Sequence, residues 1–140
     1  MIASPVVRRR FTVEQYEQMA IAGIFAADDR IELIEGEIVE MSPIGPSHSA
    51  CVSRLIQLIQ QQIGSSLIIR VQDPIRLSNR SEPQPDVALV QPRADFYAGG
   101  HPEPEDVVLL VEVAYSLLSY DRDLKLPLYA RAGIAEVWLV

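Results

Sequence analysis

The segment covering residues 107–113 constrains the fold most, because it is a nearly unbroken apolar run rich in valine. Branched residues favour strands, and a strand that is apolar at successive positions has to be covered on both faces. The run is interrupted by Glu112, near its end. An ionised carboxylate that leaves water without partners costs on the order of several kcal/mol. The sequence therefore predicts a buried central strand whose acid needs a compensating cation.

A second acid, Asp86, opens a predicted strand at residues 86–90, directly after Pro83-Gln84-Pro85. The connection from residue 90 to residue 107 is long enough for the two strands to be antiparallel neighbours. The start of one antiparallel strand lies beside the end of the next, so we expect Asp86 and Glu112 to meet at one end of the sheet. Two adjacent carboxylates repel each other, and a hard divalent cation with oxygen ligands is the usual remedy.

Lys125 is the third candidate, because it lies among apolar residues of a predicted helix that starts near Asp121 or Asp123 and ends at Ala132. Pro127 is expected to kink this helix without breaking it. The Lys125 ammonium is expected to reach the carboxylates, where it could orient a metal-bound water and stabilise the charge that builds during phosphoryl transfer. The alternative is a plain buried ion pair with Glu112, which would leave Asp86 unexplained.

The rest of the chain alternates between helical and strand patterns within one domain covering residues 1–140. A helix is predicted at residues 12–22, a hairpin at 30–41 with its turn at Glu35-Gly36, and a helix from an N-cap at Ser47 to residue 63. Strands are predicted at residues 67–71, 75–77 and from 135 onward. The predicted fold class is therefore α/β in the broad sense, with helices packed on a mixed sheet of the α+β type. Because the last strand has no turn or cap after it, we expect the natural chain to continue beyond Val140.

Composition narrows the classes of function. Cys51 is the single cysteine, and no segment reaches the ~20 consecutive apolar residues of a membrane-spanning helix. We therefore expect a cytoplasmic protein without a membrane span. A net charge of −7 argues against a surface that grips nucleic acid everywhere, yet permits a local site. Arg70, Arg76 and Arg80 could contact phosphates or could be ordinary solvent-facing residues of the sheet.

The order and spacing of these motifs resemble the PD-(D/E)XK nuclease superfamily and, more specifically, the Uma-type family of restriction endonucleases. The resemblance covers nearly the whole chain. It rests on short motifs, which are Glu32-Leu33-Ile34-Glu35-Gly36-Glu37, Met41-Ser42-Pro43, His48, Pro83-Gln84-Pro85-Asp86, Val111-Glu112-Val113, Asp121, Lys125 and Tyr129-Ala130-Arg131-Ala132-Gly133-Ile134.

The resemblance implies a restriction-endonuclease-like αβββαβ core behind an N-terminal helix and β-hairpin. It also implies hydrolysis of phosphodiester bonds in nucleic acid, with DNA as the expected substrate and Mg²⁺ or Mn²⁺ as the cofactor. In that scheme Asp86, Glu112 and the carbonyl of Val113 would bind the ion and Lys125 would position the attacking water. His48 and Glu32 are supporting candidates. By analogy with enzymes that cut both strands, a homodimer is a further option.

The sequence departs from the superfamily at one position. The plain form of the motif places a lysine two residues after the acid, where this chain has Ala114. The resemblance therefore requires that the lysine has migrated to Lys125 on the following helix. Two rival functions stay open, namely a catalytically silent nuclease-fold module for binding or assembly, and a phosphoesterase that acts on a small substrate. Ala114 and the acidic net charge favour the silent module.

Overall fold

The computed structural model describes residues 5–114 and 121–140. The part from α2 to β6 has the predicted αβββαβ order, and a helix and a hairpin precede it. The elements in chain order are α1 (Val13–Ile21), β1 (Ile31–Ile34), β2 (Glu37–Glu40), α2 (Pro46–Ile63), β3 (Ile68–Val71), β4 (Val87–Val90), a 3₁₀ turn (Pro104–Asp106), β5 (Val107–Glu112), a π-helical turn (Asp121–Lys125), α3 (Leu126–Arg131) and β6 (Val137–Leu139).

A four-stranded sheet in the order β3-β4-β5-β6 forms the centre of the fold. Strands β3, β4 and β5 are antiparallel, and β6 runs parallel to β5. The register pairs Val87 with Val111, so Asp86 and Glu112 lie at the same end of the sheet, as the antiparallel pairing predicts. Strand β5 is buried at every position except the half-buried Val108. The interpretation of this run as a covered central strand is therefore confirmed.

Each face of the sheet has its own hydrophobic core. Helix α2 covers one face with an apolar stripe, in which Val52 and Ile59 are buried against Val87, Leu109 and Val111. The expected N-cap at Ser47 is wrong, because the helix begins at Pro46 with Gly45 as its N-cap. Proline suits the first helical position, where its missing N–H would have had no intrahelical partner.

Helix α3 covers the other face, where Leu128 and Tyr129 are buried against Leu110. The helical element continues past Pro127, as predicted, but it changes from a π turn to an α-helix just before that residue. A proline ring crowds the carbonyl four residues earlier and removes one hydrogen bond, so the preceding turn widens. The Asp121 side chain lies outside the described part of the chain.

The predicted strand at residues 75–77 is wrong. Ile75 and Leu77 are buried, but their amides donate to the carbonyls of Pro83 and Ser81, at 2.9 and 3.0 Å. The following loop therefore folds back and accepts the backbone hydrogen bonds of this segment. Apolar residues that are buried beneath a loop have the same sequence pattern as a short strand.

The hairpin of β1 and β2 forms a separate two-stranded sheet that docks on this loop. Leu33 and Glu82 form an isolated antiparallel β-bridge, in which the backbone amide of Glu82 donates to the Leu33 carbonyl at 2.8 Å. At the turn, the Gly36 amide donates to the Arg80 carbonyl at 2.7 Å. These bonds fix the hairpin against the segment that leads into β4, and so they place Glu32 close to Asp86 in the fold.

Glu82, at this junction, is a buried acid that titrates abnormally. It is 3% exposed, and one of its carboxylate oxygens has no hydrogen-bond partner among the described residues. Burial raises the pKa of Glu82 from 4.5 to about 7, Glu17 adds to the rise, and Arg76 opposes it. Because the pKa of Glu82 is higher in the folded state, its contribution to the free energy of unfolding is fully present below pH 4.5. This contribution is lost as the pH rises towards 7.

We expect Glu82→Gln to raise the free energy of unfolding by about 1–3 kcal/mol at pH 8, where the buried carboxylate is ionised. A clearly smaller gain is expected at pH 5. Urea unfolding at both pH values measures the difference, and Glu105→Gln, at an exposed acid that is not among the charges acting on Glu82, is the matched control. An equal gain at the two pH values would show that the ionisation of Glu82 does not limit stability.

Candidate active site

A cavity of about 330 Å³ opens at the end of the sheet where β4 begins and β5 ends. Its walls come from the hairpin, the start of α2, the segment before β4, the end of β5 and the π turn. The structure places around it all of the residues that the sequence singled out, which are Glu32, His48, Asp86, Glu112, Val113 and Lys125. Groups that are distant along the chain thus share one cavity.

Lys125 links two buried acids from different sheets. Its Nζ atom lies 2.8 Å from Oε1 of Glu112 and 3.3 Å from Oε2 of Glu32. The three side chains are at most 4% exposed. A buried carboxylate is tolerated when a charged and hydrogen-bonded partner meets it. The ammonium therefore compensates the acid that interrupts the apolar strand and joins it to the hairpin.

Tyr129 also contacts this group, although its sequence position predicts no role of its own in the site. Its fully buried hydroxyl donates to Oε1 of Glu112 at 2.6 Å. The Lys125 ammonium lies 5.7 Å from the centre of the Tyr129 ring. The signal that could have identified it is spacing, because residues four apart lie on the same face of a helix. Glu112 is thus held by two groups from one helical element.

The electrostatic state of Glu112 follows from these neighbours. Burial raises the pKa of Glu112 to about 7, and the nearby Asp86 adds to the rise. The Lys125 charge and the hydrogen bonds from Lys125 and Tyr129 act in the opposite direction. Burial outweighs these partners, so the cavity contains a carboxylate that would gain from additional positive charge.

Asp86 is bound from two directions. Its Oδ2 atom accepts a hydrogen bond from the Val113 amide at 2.7 Å, and its Oδ1 atom lies 3.1 Å from Nε2 of His48. His48 lies in the first turn of α2, and its side chain is 17% exposed. Its other ring nitrogen, Nδ1, is buried and has no hydrogen-bond partner within the described residues. Helix α2 thus brings His48 directly to the Asp86 carboxylate.

Glu32 occupies the inner face of the hairpin. Its Oε2 atom accepts a hydrogen bond from the Gln84 amide at 2.9 Å, in addition to its contact with Lys125. Glu37, the other acid on this face of the hairpin, is exposed. Arg30 also lines the cavity and donates to the Ser42 carbonyl. Arg30 could not be identified from the sequence, because nothing in its local pattern distinguishes it from a surface arginine.

The donor set suits a hard cation better than zinc. No three His, Cys, Asp or Glu side chains of the described residues are grouped closely enough to hold a metal by themselves. Asp86 and Glu112 supply two carboxylates, and no amide in the described ranges donates to the Val113 carbonyl. Mg²⁺ is commonly held by one or two carboxylates together with water, whereas structural zinc sites use four protein ligands. These residues therefore fit a Mg²⁺-like ion that keeps several water ligands.

Among the described helices, none has both the length and the apolar character needed to span a bilayer.

Comparison with known proteins agrees with this architecture. A family model described as "Putative restriction endonuclease" matches residues 13–140, which include every residue that lines the cavity. A search of curated proteins finds none that matches this chain. On the extent of the family match, the chain belongs to the Uma2 family of restriction-endonuclease-like proteins.

Proposed function

We propose that this protein is a divalent-metal-dependent nuclease that hydrolyses phosphodiester bonds of nucleic acid, with DNA as the preferred substrate. The observation that carries the proposal is the position of Lys125, whose ammonium joins Glu112 and Glu32 at a cavity that Asp86 also lines. Membership of the Uma2 family supports a nuclease with a nucleic-acid substrate, and proteins of this type typically use divalent metals.

In this proposal Asp86, Glu112 and the Val113 carbonyl would hold Mg²⁺ or Mn²⁺. The bound ion would polarise the phosphodiester and lower the pKa of a water molecule. Lys125 orients the attacking water and offers positive charge to the phosphate as negative charge builds on it. Glu32 and Tyr129 act as positioning residues, because they contact the Lys125 ammonium and the Glu112 carboxylate. His48 orients Asp86.

The position of Lys125 supports the proposal although the lysine of the plain motif is missing. Ala114, two residues after Glu112, lines the same cavity with a small side chain. Lys125 enters from the π turn and reaches Glu112 within 2.8 Å. A lysine from the helical element can therefore take the position relative to the acid that a strand lysine would otherwise occupy.

The proposal extends to the oligomeric state and the location of the protein. Restriction-type enzymes that cut both strands of a duplex commonly pair two active sites, so by analogy we propose that a homodimer acts on double-stranded DNA. The single cysteine, Cys51, is free in this structure and is consistent with a reducing, cytoplasmic location.

The rival function is a silent nuclease-fold module for binding or assembly. It is favoured by Ala114 and by the net charge of −7. In that case the buried acids and Lys125 would serve stability alone, and neither metal binding nor cleavage would depend on Asp86.

The test combines cleavage with metal titration. Full-length protein is incubated with single- and double-stranded DNA and RNA in the presence of Mn²⁺, beside Asp86→Asn, Lys125→Ala and the exposed control Asp28→Asn. We expect cleavage by the wild type and the control alone, and calorimetric Mn²⁺ binding that Asp86→Asn abolishes. Equal Mn²⁺ binding by wild type and Asp86→Asn would remove the metal role of Asp86. Cleavage that survives both cavity variants would refute the proposed site.

A further inference from the structure

A second concave surface lies at the turn of the hairpin, away from the active-site cavity. This arginine groove has a volume of about 580 Å³ and is lined by Arg8, Arg9 and Arg10 of the N-terminal arm, by Thr12 at the N-cap of α1, by Gln15 of α1, and by Arg80. All four arginines are exposed. The mechanism proposed above uses none of them.

The groove brings together the charges of four arginines. The exposed Arg131 and the half-buried Arg76 and Arg93 each pair with a carboxylate, on Glu35, Glu14 and Asp95. In the part of the chain that the structure describes, none of the groove arginines forms an ion pair. Arg10 donates to a backbone carbonyl, that of Glu35, at 2.6 Å. Positive charge is therefore concentrated at one place on a chain whose net charge is −7.

Backbone hydrogen bonds to the hairpin turn bring these arginines together. The Phe11 amide donates to the Gly36 carbonyl at 2.9 Å, and the Gly36 amide donates to the Arg80 carbonyl at 2.7 Å. Gly36 has a φ of +82°, and a Cβ atom there would lie 2.6 Å from Cβ of Arg10. Glycine is required at this position, since no other residue permits so close an approach of the arm. The groove is thus part of the packed fold.

The hairpin connects the groove to the active site. Glu32 on β1 faces the cavity, and the turn begins three residues later at Glu35. A strand rises about 3.3 Å per residue, so the turn lies roughly 10 Å along the hairpin from Glu32. A nucleic-acid strand advances about 3.4 Å per nucleotide, so this separation corresponds to roughly three nucleotides.

We propose that the arginine groove binds the phosphate backbone of the nucleic-acid substrate, roughly three nucleotides from the bond that is cut. Guanidinium groups bind phosphate oxygens in a bidentate manner, and such contacts position a substrate without reading its sequence. The proposal rests on the nuclease function, because that function supplies the polyanion that one molecule presents to both surfaces. An anionic membrane or an acidic protein is the competing ligand that the experiment has to distinguish.

The experiment measures binding of a fluorescent DNA duplex by anisotropy across a range of salt concentrations, in EDTA so that nothing is cut. Affinity scales with salt to a power of about −0.9 for each phosphate contact, so at about 0.1 M salt a lost contact weakens binding roughly tenfold. We expect this loss for Arg80→Ala, and a loss of about a hundredfold or more for the triple variant Arg8→Ala, Arg9→Ala, Arg80→Ala. The triple variant is also expected to have a shallower salt slope.

Arg54→Ala is the matched control, because Arg54 is exposed on α2 outside the groove, and we expect it to bind DNA like the wild type. Unchanged affinity and salt slope in the triple variant would overturn the proposal, and so would an equal loss in Arg54→Ala. Arginine-dependent binding of phosphatidylserine vesicles or polyglutamate, without binding of DNA, would also overturn it. If DNA binding depends on the groove arginines but the protein cuts no DNA, only the nuclease function is refuted. If the protein cuts DNA but its DNA binding does not depend on these arginines, only the proposal for the groove is refuted.

Discussion

Replacing Glu112 with glutamine is expected to reduce metal-dependent cleavage by on the order of 10³-fold, the scale of losing a preorganised charged group. The same change is expected to preserve or increase stability at pH 8. Burial raises the pKa of Glu112 to about 7, so its contribution to stability is complete below pH 4.5 and is lost as the pH rises towards 7. Glutamine removes the ionised form, and Lys125 keeps its contact with Glu32.

Two measurements on one variant separate the roles of Glu112. Cleavage of duplex DNA in Mn²⁺ reports its role as a ligand, and urea unfolding at pH 5 and pH 8 reports its role in the fold. Glu37→Gln is the control, because Glu37 is exposed on the same hairpin face as Glu32. Full activity in Glu112→Gln would exclude the ligand role. A large loss of stability at pH 8 would instead identify Glu112 and Lys125 as a structural ion pair.

Lys125→Met is expected to have the largest effect on stability. It should lower the free energy of unfolding by about 3–5 kcal/mol, because it removes the ammonium that contacts two buried carboxylates. The loss should be larger at pH 8 than at pH 5, since protonation relieves the repulsion between Glu112 and its acidic neighbours. Cleavage should also be lost, since no ammonium then orients the attacking water.

A double-mutant cycle tests the cause of this loss. Combining Lys125→Met with Glu112→Gln leaves Glu32 as the remaining carboxylate of the pair, and it still accepts a hydrogen bond from the Gln84 amide. We therefore expect the double variant to recover part of the stability that Lys125→Met loses. Additive changes in the free energy of unfolding would show that Lys125 does not stabilise the fold through Glu112. Lys125 is the only lysine in the chain, so an NMR spectrum of lysine-labelled protein reports directly on its environment.

The sequence was sufficient to predict those parts of the site in which a charged residue interrupts an apolar pattern. Glu112 interrupts an apolar run, and the geometry of antiparallel neighbours then places Asp86 at the same end of the sheet. Lys125 could be inferred because a charged residue among apolar helix positions has to find a partner. In each case the cost of burying a charge restricts where its partner can lie.

Features that depend on how separate elements dock could not be predicted in this way. The contact between Lys125 and Glu32 exists because the hairpin is bound to the loop before β4, and the apolar residues of that loop resemble a strand in sequence. From the sequence, Tyr129 could equally be an ordinary core residue, so a role for its hydroxyl in the site could not be predicted. The arginine groove depends on the close approach of the arm to Gly36, which only coordinates reveal.

The Lys125 ammonium joins two structural units, because one of its carboxylate partners belongs to the hairpin and the other to the main sheet. A molecule whose hairpin has detached would therefore lose one of the contacts that hold the lysine in place. In a nuclease this arrangement would make catalytic competence depend on the docking of the hairpin. Incompletely folded copies would then be poor catalysts, and the cell's own nucleic acid would be less exposed to them during synthesis.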